Sequence, residues 1–225
     1  MVQAGQGHGA DIASQRADDL DLLAISRVQE LTTAGLHVRT LDLGAGRGAQ
    51  TVRLLSAGAM SSVAVDLEDF SLDFANLLPS EGREKASFIQ MDLSTPDLAK
   101  KIQKLTTVKC YDVIVCQRTI HYFPWQSAAI FVAQIAQLLV PGGRLYISAS
   151  GLGSELGMGY EKTGTAPEAR FGPLAQGMAS KHGILAPVCL YTRDDLIAQC
   201  STAGLHVISA QESAFGNIKV AAEKR

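Results

Sequence analysis

The stretch LDLGAGRGAQ, Leu41 to Gln50, decides the fold. A short apolar strand runs into Gly44-Ala45-Gly46-Arg47-Gly48, and a helix opens at once. Glycines there let the chain turn sharply and approach a ligand where a Cβ would collide, and the first N–H groups of the helix face the same place. With Ala49 the run also satisfies the dinucleotide fingerprint GxGxxG/A, so the loop alone does not choose its ligand. Asp42 bears on that choice. Strand alternation turns it away from Leu41 and Leu43, towards the ligand side. A carboxylate beside a pyrophosphate is repulsive, whereas beside an ammonium or sulfonium it is favourable. The alternative is that Asp42 only caps the loop backbone.

On either side the pattern alternates strand and helix. A helix over residues 11–35, with a Leu20, Leu23, Ile25, Val28, Leu31 stripe, precedes the loop. After it come SSVAVDL, a helix stopped by Pro79, ASFIQMDL, a helix beginning near Ser94, and YDVIVCQ. A helix from Trp125 to Leu139 then ends at Pro141-Gly142-Gly143, a turn signal, before RLYISAS. Such alternation implies a doubly wound, mostly parallel α/β sheet with helices on both faces, binding ligands outside the carboxyl ends of its strands. From Gly151 to Pro187 the periodicity dissolves, apart from a short helix expected around Leu174 to Ser180. Two last strands follow the helix capped by Thr192. The expected organisation is a flexible terminus over residues 1–10 and one domain over 11–225, with 151–187 as an insertion or lid over the site.

Strand ends carry two more acids. Asp66 closes the second strand and can accept from both ribose hydroxyls. Asp92 closes the third, where a carboxylate can accept the adenine amino group or else cap the next helix. Leu67, Met91 and Leu93 would supply apolar faces around a purine. Three acids behind a glycine loop form a constellation that resembles the class I S-adenosylmethionine-dependent methyltransferases. The resemblance covers Val38 to Ser150 well and Thr192 to Arg225 more loosely, and includes LLVPGGRLYIS, Leu138 to Ser148. It implies a seven-stranded sheet ending in an antiparallel hairpin, with S-adenosylmethionine as cofactor. It also implies that the loop (Asp42, Gly44, Ala45, Gly46, Gly48) holds the methionine portion, Asp66 the ribose and Asp92 the adenine.

The end of the fourth strand, CQRTIHYFPW, faces the reactive sulfur in that family. Cys116 and Gln117 are expected to touch the methionine moiety through backbone atoms, and Arg118, His121 and Tyr122 to face the acceptor. His121 is a candidate general base, since an unperturbed imidazole titrates near neutrality, or a residue that lines the site. Tyr122, Phe123 and Trp125 wall a pocket or belong to the core. From the insertion, Glu155, Tyr160, Arg170, Phe171 and His182 are candidate acceptor contacts.

The remaining features narrow the class. A formal net charge of −2 disfavours a nucleic-acid partner. Four cysteines without a CxxC pair suggest neither disulfides nor a metal site. No apolar run reaches membrane-spanning length, and a cytoplasmic location is expected. The expected function is methyl transfer to a small molecule. Alternatives are an RNA (cap- or tRNA-type) or protein methyltransferase, an NAD-dependent oxidoreductase, and a non-catalytic cofactor-binding module; a homodimer stays open.

Overall fold

The computed structural model describes residues 16–225, so the expected flexible terminus, 1–10, and residues 11–15 lie outside the described residues. Seven strands form one sheet in the order β3-β2-β1-β4-β5-β7-β6. They are β1 (Arg39–Leu43), β2 (Ser61–Asp66), β3 (Ala86–Gln90), β4 (Tyr111–Cys116), β5 (Leu139–Ser150), β6 (Leu205–Glu212) and β7 (Asn217–Lys224). The first five run parallel, while β7 is antiparallel to both β5 and β6, giving the terminal hairpin. Strand order reverses between β1 and β4, paired through Thr40–Val113 and Asp42–Val115, so a crevice opens outside their carboxyl ends.

Alternation distributes the helices. Leu41, Leu43, Ile114 and Cys116 face the larger core, completed by α4 (Leu98–Leu105), α5 (Trp125–Leu138) and α7 (Arg193–Thr202). Val113 and Val115 face the other side, against α1 (Asp19–Thr33) and α2 (Ala49–Ser56). There α3 (Ser71–Leu77) sets Phe74 against Ala64. No helix among the described residues is long and apolar enough to cross a membrane.

Four local expectations are corrected. α1 begins at Asp19, because Asp18 and Asp21 form a reciprocal capping box. Its buried line is Leu20, Ala24 and Val28, an i, i+4 series that leaves Leu23 exposed. α4 begins at Leu98 rather than Ser94, since Asp92 accepts from both Ser94 N–H (2.8 Å) and its hydroxyl (2.7 Å) and holds a turn there. Pro141-Gly142-Gly143 is a bulge inside a continuous β5: partners step from Tyr111–Leu139 to Val113–Arg144, with Gly142 at φ +76°.

The insertion is not structureless. It holds α6 (Gln176–His182) and two 3₁₀ turns, Glu155–Gly157 and Pro167–Ala169. Leu156, Tyr160 and Leu174 pack with Val188 and Leu190, just beyond the insertion, in a small core against which Tyr122 also packs.

Candidate functional site

The glycine loop and the β2 end form one hydrogen-bonded unit. Gly44 and Ala45 N–H donate to the Val65 carbonyl (2.8 and 3.1 Å). Gly46 N–H donates to Asp66 Oδ2 at 2.7 Å, and Glu68 N–H to Oδ1 at 3.1 Å. The three loop glycines are needed for different reasons. A Cβ on Gly44 would meet the Thr119 hydroxyl at 2.0 Å, and one on Gly48 the Phe74 ring at 2.3 Å, whereas nothing lies within 4 Å of the Gly46 position. Only Gly46 borders open space where a ligand could approach.

Asp42 lies on the α1–α2 face, as alternation requires, and is 3% exposed. Its carboxyl accepts from the Thr51 hydroxyl at 2.8 Å. Burial, then the charges of Asp21 and Asp66, push its pKa up to about 7 against the pull of the Thr51 bond. Burial also raises Asp21. Gln50 donates its amide N–H to the Asp21 carbonyl at 3.3 Å, while its Oε1 is buried without a partner. Two carboxyls with raised pKa and an orphan acceptor are short of a cation or donor, not of an anion. An ammonium or sulfonium fits this set; a pyrophosphate does not.

Around the expected nucleoside pocket, Met91 N–H donates to the Asp66 carbonyl at 2.7 Å and Gln90 to the Leu67 carbonyl at 3.2 Å, knitting β2 to β3. Leu67 and Met91 are half-buried. Leu93 is buried in the main core, so its side chain belongs to packing and its backbone alone is left for a ligand. Asp92 is exposed and tied to Ser94, the turn-capping arrangement.

At the β4 end, Cys116 faces the core with its thiol pKa pushed well up by burial, which leaves only its backbone for the crevice. Gln117 is a junction. Its amide donates to Asp18 Oδ1 (3.1 Å) and Asp21 Oδ1 (2.5 Å), and its Oε1 accepts from the Ser148 hydroxyl (3.1 Å). Arg118 is the one non-glycine residue with positive φ (50°) among the described residues, and its N–H bonds both Ser148 oxygens at 3.0 Å. Asp18, Asp21, Gln50 and Ser148 were not singled out in the sequence. The Asp18–Asp21 spacing of a capping box was the available signal.

His121 is 2% exposed, with Nδ1 accepting from Ser150 N–H at 3.4 Å and its ring 4.3 Å from that of Tyr122. Burial, with a smaller push from the Arg118 charge, lowers its pKa to about 3. It is therefore neutral and a weak base at pH 7. Tyr122 is half-buried against the insertion core, Phe123 packs on Phe131, and Trp125 on Tyr191.

Several insertion candidates are structural. The Tyr160 hydroxyl donates to the carbonyls of Arg170 and Val188. Arg170 is buried, paired with Asp195 at 2.5 Å and bonded to the carbonyls of Leu190 and Thr165. Phe171 packs on the main core. Glu155 binds Lys181 and His182 on the insertion's surface.

Residues 40–143 match the family model of a methyltransferase domain. Solved structures share the fold across nearly the whole chain. An O-methyltransferase family protein from Burkholderia thailandensis is 18% identical at a TM-score of 0.61, covering 96% of this chain and 59% of its own. From the same organism, 1,6-didemethyltoxoflavin-N1-methyltransferase, solved with its substrate and S-adenosylhomocysteine, is 20% identical at 0.64, covering 96% and 82%. Magnesium protoporphyrin IX methyltransferase from Synechocystis PCC 6803, also with bound S-adenosylhomocysteine, is 16% identical at 0.59, covering 91% and 83%. No curated protein matches the chain in sequence. Residues 40–143 are thus similar to a methyltransferase domain, and the chain as a whole has the fold of methyltransferases that were solved with bound S-adenosylhomocysteine.

Proposed function

We propose that this protein transfers the methyl group of S-adenosylmethionine to a small-molecule acceptor. The observation that carries the reading is the insertion: Leu156, Tyr160 and Leu174 of 151–187 form an apolar cluster with Val188 and Leu190 just beyond it, seated on Tyr122 in the turn after β4. A wall of that kind suits a pocket closed around a metabolite better than an open groove for a polymer. Two neighbours whose acceptors are named, a toxoflavin precursor and a magnesium porphyrin, take small molecules.

In this reading Asp42, Asp21 and Gln50 receive the ammonium end of the cofactor, and Gly46 admits it to the loop. Asp66 takes the ribose. Leu67 and Met91 flank the adenine, with Asp92 and the Leu93 backbone at its edge. The backbone of Cys116 and Gln117 lies beside the methionine chain. The cofactor supplies an electrophilic methyl on a sulfonium. The chain's part is to orient the acceptor and exclude water, with the insertion as lid. His121 and Tyr122 line the acceptor side, and an imidazole this buried serves packing and orientation rather than proton removal. A cytoplasmic enzyme, with a nucleic-acid partner disfavoured by the formal net charge of −2, completes the proposal.

The test is incubation with S-adenosylmethionine labelled in its methyl group and separate metabolite, RNA and protein fractions of a cell extract. Label in the metabolite fraction supports the reading. Label confined to RNA or protein would replace it with a macromolecular acceptor.

A further inference from the structure

Lys219 is an anomaly in the sequence NIKVAAEK of β7. It is a cation in an apolar run, its side chain only 7% exposed. The strand register sets it directly opposite Ser148 of β5. Its ammonium pairs with Asp18 at 2.9 Å and with Asp19, so it holds the first two residues at the head of α1. Gln211 of β6 donates a further bond to Asp19 at 2.7 Å. Burial alone would lower the Lys219 pKa, but its bonds to Asp19 and Asp18 outweigh that and raise it, so the cation is maintained.

The helix head passes this constraint on. Asp18 and Asp21 form the capping box and both accept from the Gln117 amide, whose oxygen is held in turn by Ser148. The Asp21 carbonyl fixes Gln50, and the Asp21 charge acts on Asp42. A chain of direct contacts therefore runs from Lys219 through the head of α1 to Asp21, Gln50 and Gln117, and only the Asp21 charge carries on to Asp42. None of these contacts reaches the β2–β3 end, where the nucleoside is assigned.

We propose that Lys219 is a positioning residue for the cofactor: by clasping Asp18 and Asp19 it docks α1 so that Asp21, Gln50 and Gln117 form the pocket for the amino-acid end of S-adenosylmethionine. The inference rests on the methyltransferase reading. It makes a distinction that a merely structural ion pair would not. Loss of the clasp weakens ligands that carry the amino-acid end and spares those that lack it.

The test is calorimetry on the full chain with S-adenosylhomocysteine and with 5′-methylthioadenosine, which keeps the nucleoside and sulfur but has no amino-acid end. Lys219→Met should lower affinity for S-adenosylhomocysteine about tenfold or more and leave methylthioadenosine within about twofold of wild type, the scale of disturbed charged hydrogen bonds. Lys219→Arg, which keeps the charge, should recover most of the loss. Equal losses for both ligands, unchanged affinity for S-adenosylhomocysteine, or no recovery in Lys219→Arg would overturn the proposal. Should Lys219→Met fail to fold, Asp19→Asn on the exposed partner carries the same comparison, with roughly a threefold selective loss expected. If wild type binds neither ligand, the methyltransferase reading itself fails, a result distinct from those above.

Discussion

Gly46 N–H donates to Asp66 Oδ2 at 2.7 Å, so the acid that ends β2 and the loop that ends β1 are one unit. Asp66→Ala removes the proposed ribose acceptor and releases the loop together. It is expected to weaken S-adenosylhomocysteine binding by about 1–3 kcal/mol, the scale of a lost charged hydrogen bond. Calorimetry checks this, and unchanged affinity would remove Asp66 from the site.

Gly46 and Gly48 both have positive φ but differ in surroundings. Gly46→Val places methyl groups in open space on the ligand side. It should abolish cofactor binding while costing the fold about 1–2 kcal/mol of left-handed strain. Gly48→Ala drives a Cβ into the Phe74 ring and should lower the melting temperature while the folded fraction still binds. Binding by Gly46→Val, or its selective loss in Gly48→Ala, would reverse the assignment.

Asp42 makes stability depend on pH in a defined direction. Its pKa is about 7 in the folded chain against 3.8 for the free side chain, so between those values the folded state holds the extra proton. Its contribution to stability therefore falls as pH rises through that window and is level above it. A cationic cofactor favours the carboxylate and reverses the penalty. S-adenosylmethionine should thus raise the melting temperature more at about pH 8 than at about pH 6. An equal rise at both would mean that no cation reaches Asp42.

His121, with a pKa of about 3, should leave no limb near neutrality in the pH–rate profile. His121→Gln is expected to keep kcat within about tenfold, below the roughly 100-fold or greater loss that removal of a general base produces. A larger loss accompanied by disappearance of a limb near pH 6–7 would restore the base role.

Arg170 and Asp195 tie the insertion to α7 from a buried position. Arg170→Ala strands a carboxylate and should cost about 3–5 kcal/mol in denaturant unfolding. Hydrogen exchange should rise first within 151–187. Unaltered protection there would show that the insertion is anchored elsewhere.

Sheet and loop were legible because period-2 and period-3.6 patterns are local, and because Gly44 to Gly48 carries its geometry in its composition. Element boundaries at Ser94 and Pro141 were misread where a neighbour overrides local chemistry: the Asp92–Ser94 turn delays α4, and pairing with β4 carries β5 through two glycines. The missed part of the site depends on distant contacts. Gln117 meets Asp21, and Lys219 meets Asp18 and Asp19, across separations that no sequence window spans. Arg170 and Tyr160 looked like acceptor ligands because a polar side chain in an irregular segment is indistinguishable in sequence from one that braces it.

The most direct test of the central claim is a parallel titration with S-adenosylmethionine, S-adenosylhomocysteine and NAD, read by thermal shift and calorimetry. A ligand that binds only the folded state must stabilise it. Stabilisation by the two sulfur nucleosides and not by NAD is the predicted result. Stabilisation by NAD alone would contradict it, and would mean that the buried acids around Asp42 serve a different ligand.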